Sequence, residues 1–221
     1  MQVITALKPS AGALPRYRVY VGSAGKAGRR AAVISPNAVD ALGLAVGMDW
    51  TPELAARVEE ASAGERAVEA AARALSRRPK SKRKLDQALR QKEFDPAARA
   101  QAIERMERIG AIDDRSLGES MVRSTLGRKP AGPRYLKAKL RSAGLDDELA
   151  QELADQASQT RDETGVEGAR ALVRVKLRGM RGLAPEVKRR RLYGMLARRG
   201  FDPDVISRVL SESHDNPDDV G

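Results

Sequence analysis

A unit of about 50 residues occurs three times in this chain, and that recurrence constrains the fold more than any other feature of the sequence. Phe94-Asp95-Pro96, Leu145-Asp146-Asp147 and Phe201-Asp202-Pro203 mark equivalent points. Five residues before each apolar residue stands a leucine (Leu89, Leu140, Leu196), nine before it another (Leu85, Leu136, Leu192), and eleven before it an arginine (Arg83, Arg134, Arg190). The first two copies also agree nineteen residues upstream, where Leu75-Ser76-Arg77-Arg78-Pro79 parallels Leu126-Gly127-Arg128-Lys129-Pro130.

These spacings predict three helices per unit. Two leucines four apart share one helical face, and the apolar residue five further on closes the end of that helix against it. Asp then caps the next helix, with Pro at its first position in copies one and three. The prolines at 79 and 130 separate the first helix from the second. The expected fold is mainly α: a tandem array of three three-helix repeats, elongated and curved because each unit offers only a thin apolar face. The expected boundaries are 63–113, 114–164 and 165–212, followed by a disordered acidic tail at 213–221.

Residues 1–62 form a mixed module with a β-hairpin. Strand patterns occur at Val3–Leu7, Tyr17–Val21 and Ala31–Ile34, the last two separated by a Gly-rich stretch. Ser35-Pro36 and Thr51-Pro52-Glu53 are helix-start signals and predict short helices after the hairpin.

Charge narrows the partners. The chain carries 41 Lys and Arg against 30 Asp and Glu, a formal net charge of +11, which calls for an acidic partner. The excess is not uniform: nets of +2, +5, 0 and +4 fall on residues 1–64, 65–113, 114–163 and 164–221. The neutral stretch is polarised, with seven bases and no acid from Ser120 to Leu145, then seven acids and one base from Asp146 to Glu163. Residues 168–201 hold eleven bases and one acid. Solvated faces usually interleave signs, so this segregation favours a partner surface. The candidate contacts are Arg77, Arg78, Lys82, Arg83, Lys84, Arg128, Lys129, Arg134, Lys137, Arg141, Arg170, Arg174, Arg178, Arg181 and Arg190. Arg170, Arg174, Arg178 and Arg181 are read as one stripe of a helix, and Lys188-Arg189-Arg190-Arg191 as a further cluster.

Catalytic chemistry finds no foothold. There is no cysteine, which excludes disulfides, thiolate metal sites and a Cys nucleophile and fits a reducing cytoplasm. Gly22-Ser23-Ala24-Gly25-Lys26-Ala27 fails as a phosphate-binding loop: Tyr20 stands where the first glycine belongs and Ala27 replaces the metal-binding hydroxyl. The carboxylate pairs Asp113-Asp114 and Asp146-Asp147 sit at helix starts and read as caps, and Asp218-Asp219 lies in the tail with the sole histidine, His214. No cofactor or metal is expected, and neither a signal peptide nor a membrane span is read. Aromatic residues are 3% of the chain; Phe94 and Phe201 read as core, and the tyrosines and Trp50 do not suggest base stacking.

Gly110-Ala111-Ile112-Asp113-Asp114, followed by Leu117 and Val122, resembles the segment that recurs between repeats in the RecX family of recombination regulators. Arg134-Tyr135-Leu136-Lys137-Ala138-Lys139-Leu140-Arg141-Ser142-Ala143-Gly144-Leu145 is similar to that family's second helix. The resemblance covers roughly 65–212. It implies a non-enzymatic protein lodged in the groove of a RecA filament on single-stranded DNA, where it lowers ATP hydrolysis, strand exchange and co-protease activity; the tandem array itself predicts a monomer. The basic clusters themselves predict binding to single- and double-stranded DNA with little sequence preference, as phosphate neutralisation requires. A second reading stays open, that of a helix-turn-helix-like DNA-binding protein or transcriptional regulator. A recognition helix should itself be basic, whereas the third helix of the second unit, starting at Asp146, is acidic.

Overall fold

The computed structural model describes residues 1–10, 15–159 and 162–213; the expected acidic tail lies almost wholly outside them. Three strands, β1 (Val3–Ser10), β2 (Arg16–Gly22) and β3 (Arg29–Ile34), form an antiparallel sheet in the order β1-β2-β3, with Leu7 opposite Val19 and Val19 opposite Ala32. The Gly-rich stretch is the β2–β3 turn. Ile4, Val19, Val21 and Ile34 point inward and are buried against Leu44 and Val58.

Two helices follow at the expected start signals. Ser35 caps α1 (Pro36–Ala41) and Thr51 caps α2 (Pro52–Arg77), each hydroxyl accepting a backbone N–H three residues on. The second is not short: α2 runs for 26 residues, and position 62 lies inside it. Its alanine-rich sequence carries no interior proline, and its interior Gly64 faces Gln101 so closely that a Cβ there would stand 1.9 Å from the Gln101 Oε1. One helix therefore serves two cores. Val58 and Leu54 belong to the sheet, whereas Ala67, Val68, Ala70 and Ala71 belong to the first three-helix bundle. Arg16 ties the two together, reaching Glu69 at 3.1 Å and the buried Glu65 at 3.6 Å.

The first compact unit spans Met1–Ile112 and contains α2, α3 (Lys82–Arg90) and α4 (Pro96–Arg108). The second, from Asp113 onward, contains two further bundles. One is α5 (Asp114–Arg128), α6 (Pro133–Ser142) and α7 (Asp147–Gln159); the other is α8 (Asp162–Arg178), α9 (Pro185–Arg198) and α10 (Pro203–Glu212). The helix breaks fall where the prolines and aspartates placed them. The six leucines of the repeat, at 85, 89, 136, 140, 192 and 196, are all at most 2% exposed.

The five-residue spacing is set by backbone hydrogen bonds. The amides of Phe94, Leu145 and Phe201 donate to the carbonyls of Leu89, Leu140 and Leu196 at 3.4, 3.2 and 3.2 Å. The preceding amides, of Glu93, Gly144 and Gly200, donate three residues back at 2.9 Å. Together these two bonds are a Schellman end, which brings the apolar residue beyond the helix onto the leucine inside it. The turn needs a left-handed residue, supplied by Gly144 (φ 94°), Gly200 (φ 74°) and, in the first unit, Glu93 (φ 62°).

Within the second unit the two bundles meet backbone to backbone. The Gly132 amide donates to the Arg199 carbonyl at 2.8 Å, and a Cβ on Gly200 would lie 2.1 Å from the Tyr135 nitrogen. The same repeat position thus predicts opposite outcomes in two units. Glu93→Gly relieves a left-handed L residue and should stabilise the protein by about 0.5–1 kcal/mol. Gly200→Ala adds both strain and a clash and should cost about 3 kcal/mol. Thermal melts followed by far-UV circular dichroism read both.

Candidate nucleic-acid interface

Helix starts normally attract acids, because the macrodipole places partial positive charge there. Here α3 opens with Lys82, Arg83 and Lys84 and has no acid in its first turn, and α6 opens with Arg134 and likewise has none. Cations so placed face unpaired amides of their own helix, and an anion bound there would satisfy both. Ser81 caps α3 through its buried hydroxyl. Arg77 ends α2, Arg78 follows it as the cap residue, and both side chains are exposed. The first cluster therefore surrounds one helix-to-helix turn. Within it Lys82 is held by Glu107 of α4 at 2.9 Å.

In the second bundle Arg128 and Lys129 end α5, are exposed, and have no ion-pair partner among the described residues. Arg134, Lys137 and Arg141 differ. Lys137 and Arg141 both reach Asp147 on α7, at 3.0 and 3.1 Å, and Arg134 reaches Asp202 at 3.1 Å. The basic α6 and the start of the acidic α7 close on each other, so the acid-free run from Ser120 to Leu145 does not present one continuous basic surface. This corrects the segregation read from the sequence: charges distant along the chain meet once the Schellman end folds α7 back along α6. Asp113 and Asp146 do cap α5 and α7, accepting the amides of Ser116 and Leu149 at 2.9 and 2.7 Å. Asp202 stands at the start of α10 without such a bond.

The stripe on α8 also changes. The helix ends at Arg178, which leaves Arg181 in the turn beyond it. Arg170 forms a two-bond pair with Glu212 of α10, at 2.7 and 2.9 Å, and a further pair with Glu167. Its guanidinium fastens α8 to α10 and is committed within the fold. Arg174, Arg178, Arg181 and Arg190 remain exposed. Arg189 and Arg191 share that exposure; being in the same acid-free run as Arg190, they were visible in the sequence. A cleft of about 160 Å³ beside Pro130, Leu136, Val166 and Phe201 has Asp202 as its one charged lining residue, so it offers nothing to a phosphate.

Carboxyls in the second unit are held below their ordinary range by these contacts. Hydrogen bonds from Ser116 lower Asp113, the Lys137 ammonium lowers Asp147, and the Arg115 and Arg170 guanidiniums lower Glu152 and Glu212. A depressed folded pKa contributes stability that is present above the unfolded value, about 4 for these groups, and lost as pH falls through the folded one. Glu212→Gln should therefore lower the melting temperature at pH 7 and have little effect at pH 3, as read by circular dichroism.

Two family profiles match the chain: "RecX, first three-helix domain" over residues 67–106 and "RecX, third three-helix domain" over 162–210. A "Regulatory protein RecX" of Thermobifida fusca is 34% identical over 166 residues, which are 75% of this chain and 87% of that protein. One of Streptomyces coelicolor is 33% identical over 141 residues, 64% of this chain and 73% of its own. Among solved structures, "Crystal structure of regulatory protein RecX" superposes with a TM-score of 0.78 at 18% identity, covering 96% of this chain and 100% of that one. RecX from Lactobacillus salivarius gives 0.60 at 22% identity over 68% and 96%. At those identities the structural likeness concerns the fold.

Proposed function

Because this chain belongs to the RecX family of regulatory proteins, we propose that it regulates a RecA-type recombinase by binding the recombinase filament on single-stranded DNA. There it lowers ATP hydrolysis, strand exchange and co-protease activity. The protein works without chemistry of its own, as a monomer in the cytoplasm; among the described residues no helix is long and apolar enough to cross a membrane. The observation that carries the reading is the placement of exposed bases at helix-to-helix turns in each bundle: Arg77, Arg78, Arg83 and Lys84 in the first, Arg128 and Lys129 in the second, Arg178 and Arg181 in the third. A repeated basic feature suits a partner that is itself repetitive and acidic, and a nucleoprotein filament is both.

Direct DNA binding follows from the same bases, weak in sequence preference because they can reach phosphates but no built helix reads base edges. The third helices, which a helix-turn-helix protein would place in the major groove, are poorly suited. α7 opens with Asp147 and Glu148 and has no base in its last turn. In α4, Arg99 is bound to Asp86 and Arg108 to Glu104.

The purified protein should inhibit DNA-dependent ATP hydrolysis by its recombinase at well below one copy per protomer. Reversing Arg128 and Lys129 together, or Arg178 and Arg181 together, to Glu should weaken that inhibition by roughly tenfold while leaving the fold intact, since exposed charges contribute little to stability. Arg134 and Lys137 are poor substitutes, because acids there would face Asp202 and Asp147. Inhibition equal to wild type in both double variants would refute the basic turns as the contact, and strong preference for one duplex sequence would favour the helix-turn-helix reading.

A further inference from the structure

Tyr193 breaks the pattern of its own repeat. Eight residues before the apolar closing residue, the first bundle has Asp86 and the second has Lys137. Both hold the second helix to the third: Asp86 pairs with Arg99 at 2.8 Å and Lys137 with Asp147 at 3.0 Å. The third bundle places a tyrosine there, and it makes no such link. Its side of α9 is open, with the residue 45% exposed, while every other aromatic residue of the chain is buried or half-buried. An aromatic ring left in water forgoes burial that stabilises aromatic rings elsewhere in this protein, and the fold does not require it at this position.

Its neighbours are cations. Arg189 and Arg190 lie four and three residues earlier on α9, both exposed and without an ion-pair or hydrogen-bond partner among the described residues. Helical side chains lean toward the N-terminus, which directs Tyr193 toward the turn that carries these two arginines. No cation covers the ring among the described residues, whereas Tyr20 is covered by Lys8 and Tyr135 by Arg199. Next to it Gly194 keeps the surface low, and the Arg198 guanidinium comes within 3.3 Å of where a Cβ would be. An uncovered ring bordered by unpaired guanidiniums is what a nucleic-acid strand with accessible bases can use: the ring takes a base face and the arginines take the adjoining phosphates. Duplex DNA hides its base faces in the stack and can use only the arginines.

We infer that Tyr193, Arg189 and Arg190 form a base-stacking subsite for single-stranded nucleic acid on the outer face of α9. The inference deepens the proposed function by adding a contact that distinguishes single strands from duplex, which the basic turns cannot do. Its test needs no recombinase, so it succeeds or fails independently of filament inhibition.

The full-length protein is titrated, by fluorescence anisotropy, onto a labelled 20-mer of thymidine, an abasic strand of the same length and a duplex. Tyr193→Ala should weaken binding to the thymidine strand by about tenfold and leave the abasic strand and the duplex within about twofold of wild type. Tyr193→Phe should bind all three as wild type does, since stacking needs the ring and not the hydroxyl. Arg189→Glu with Arg190→Glu should weaken all three and flatten the salt dependence on the single strand by about 1.4 in log–log slope, two phosphate contacts at 0.7 each. Unchanged thymidine-strand affinity in Tyr193→Ala overturns the subsite, as does an equal loss on the abasic strand. If Tyr193→Ala unfolds, loss of its helical signal declares it, and Tyr193→Leu replaces it with the same expectation.

Discussion

The end of the second helix in each bundle is the constraint on which the rest of this protein depends. Two leucines one turn apart commit the helix to a buried face, and the Schellman end then forces the chain through one left-handed residue and drops an apolar side chain onto the second leucine. The third helix can leave in only one direction from such a turn. In the second unit the direction is reinforced by the joint at Gly132 and Gly200, where two backbones touch with no room for a side chain. A few residues per repeat thus fix helix order and the way the third helix folds back on the second, while other positions on the second helix differ from bundle to bundle. One of these lies eight residues before the closing residue and is Asp86, Lys137 and Tyr193 in turn.

Ionic contacts act at a second level, within limits set by that geometry. The pairs of Lys137 and Arg141 with Asp147, and of Arg170 with Glu212, are largely solvated and modest individually. Their consequence lies in what they remove from the surface. Of the bases on α6 and α8, those facing a folded-back acid are neutralised locally. Arg178 at the end of α8, like Arg128 at the end of α5, has no ion-pair partner among the described residues. Fewer of the chain's bases are therefore open to a partner than their number in the sequence suggests.

The fold was legible because its determinants are local and repeated. Helix breaks at Pro79 and Pro130, caps at Asp95 and Asp146, and the buried leucines were all visible as spacings. The length of α2 was not, because Thr51-Pro52 announces where a helix starts and nothing in an alanine-rich run announces how far it continues. Within that run Gly64 packs beside Gln101 of α4, a neighbour 37 residues away in sequence that no local pattern reveals. The candidate interface was legible by composition and misread in part by position. Segregated charge along the chain suggested segregated surface, but residues six to ten apart across a tight turn, as Arg141 and Lys137 are from Asp147, become neighbours. Arg181 was counted onto a helical stripe because i, i+4, i+8 and i+11 continue arithmetically, whereas Gly179 ends the helix first.

Helix-start bases show how structural and functional demands divide between residues. Lys82, Arg83 and Lys84 oppose the dipole of α3 and repel one another, an arrangement that a helix of nine residues would not sustain by its own propensity. It persists because Leu85 and Leu89 are fully buried, the hydroxyl of Ser81 caps the first turn, and the Schellman end completes the last. Packing on one face holds the helix, so the opposite face can carry charge that is unfavourable until an anion meets it. An anionic partner would then gain twice at this turn, from the side-chain cations and from the amides they crowd.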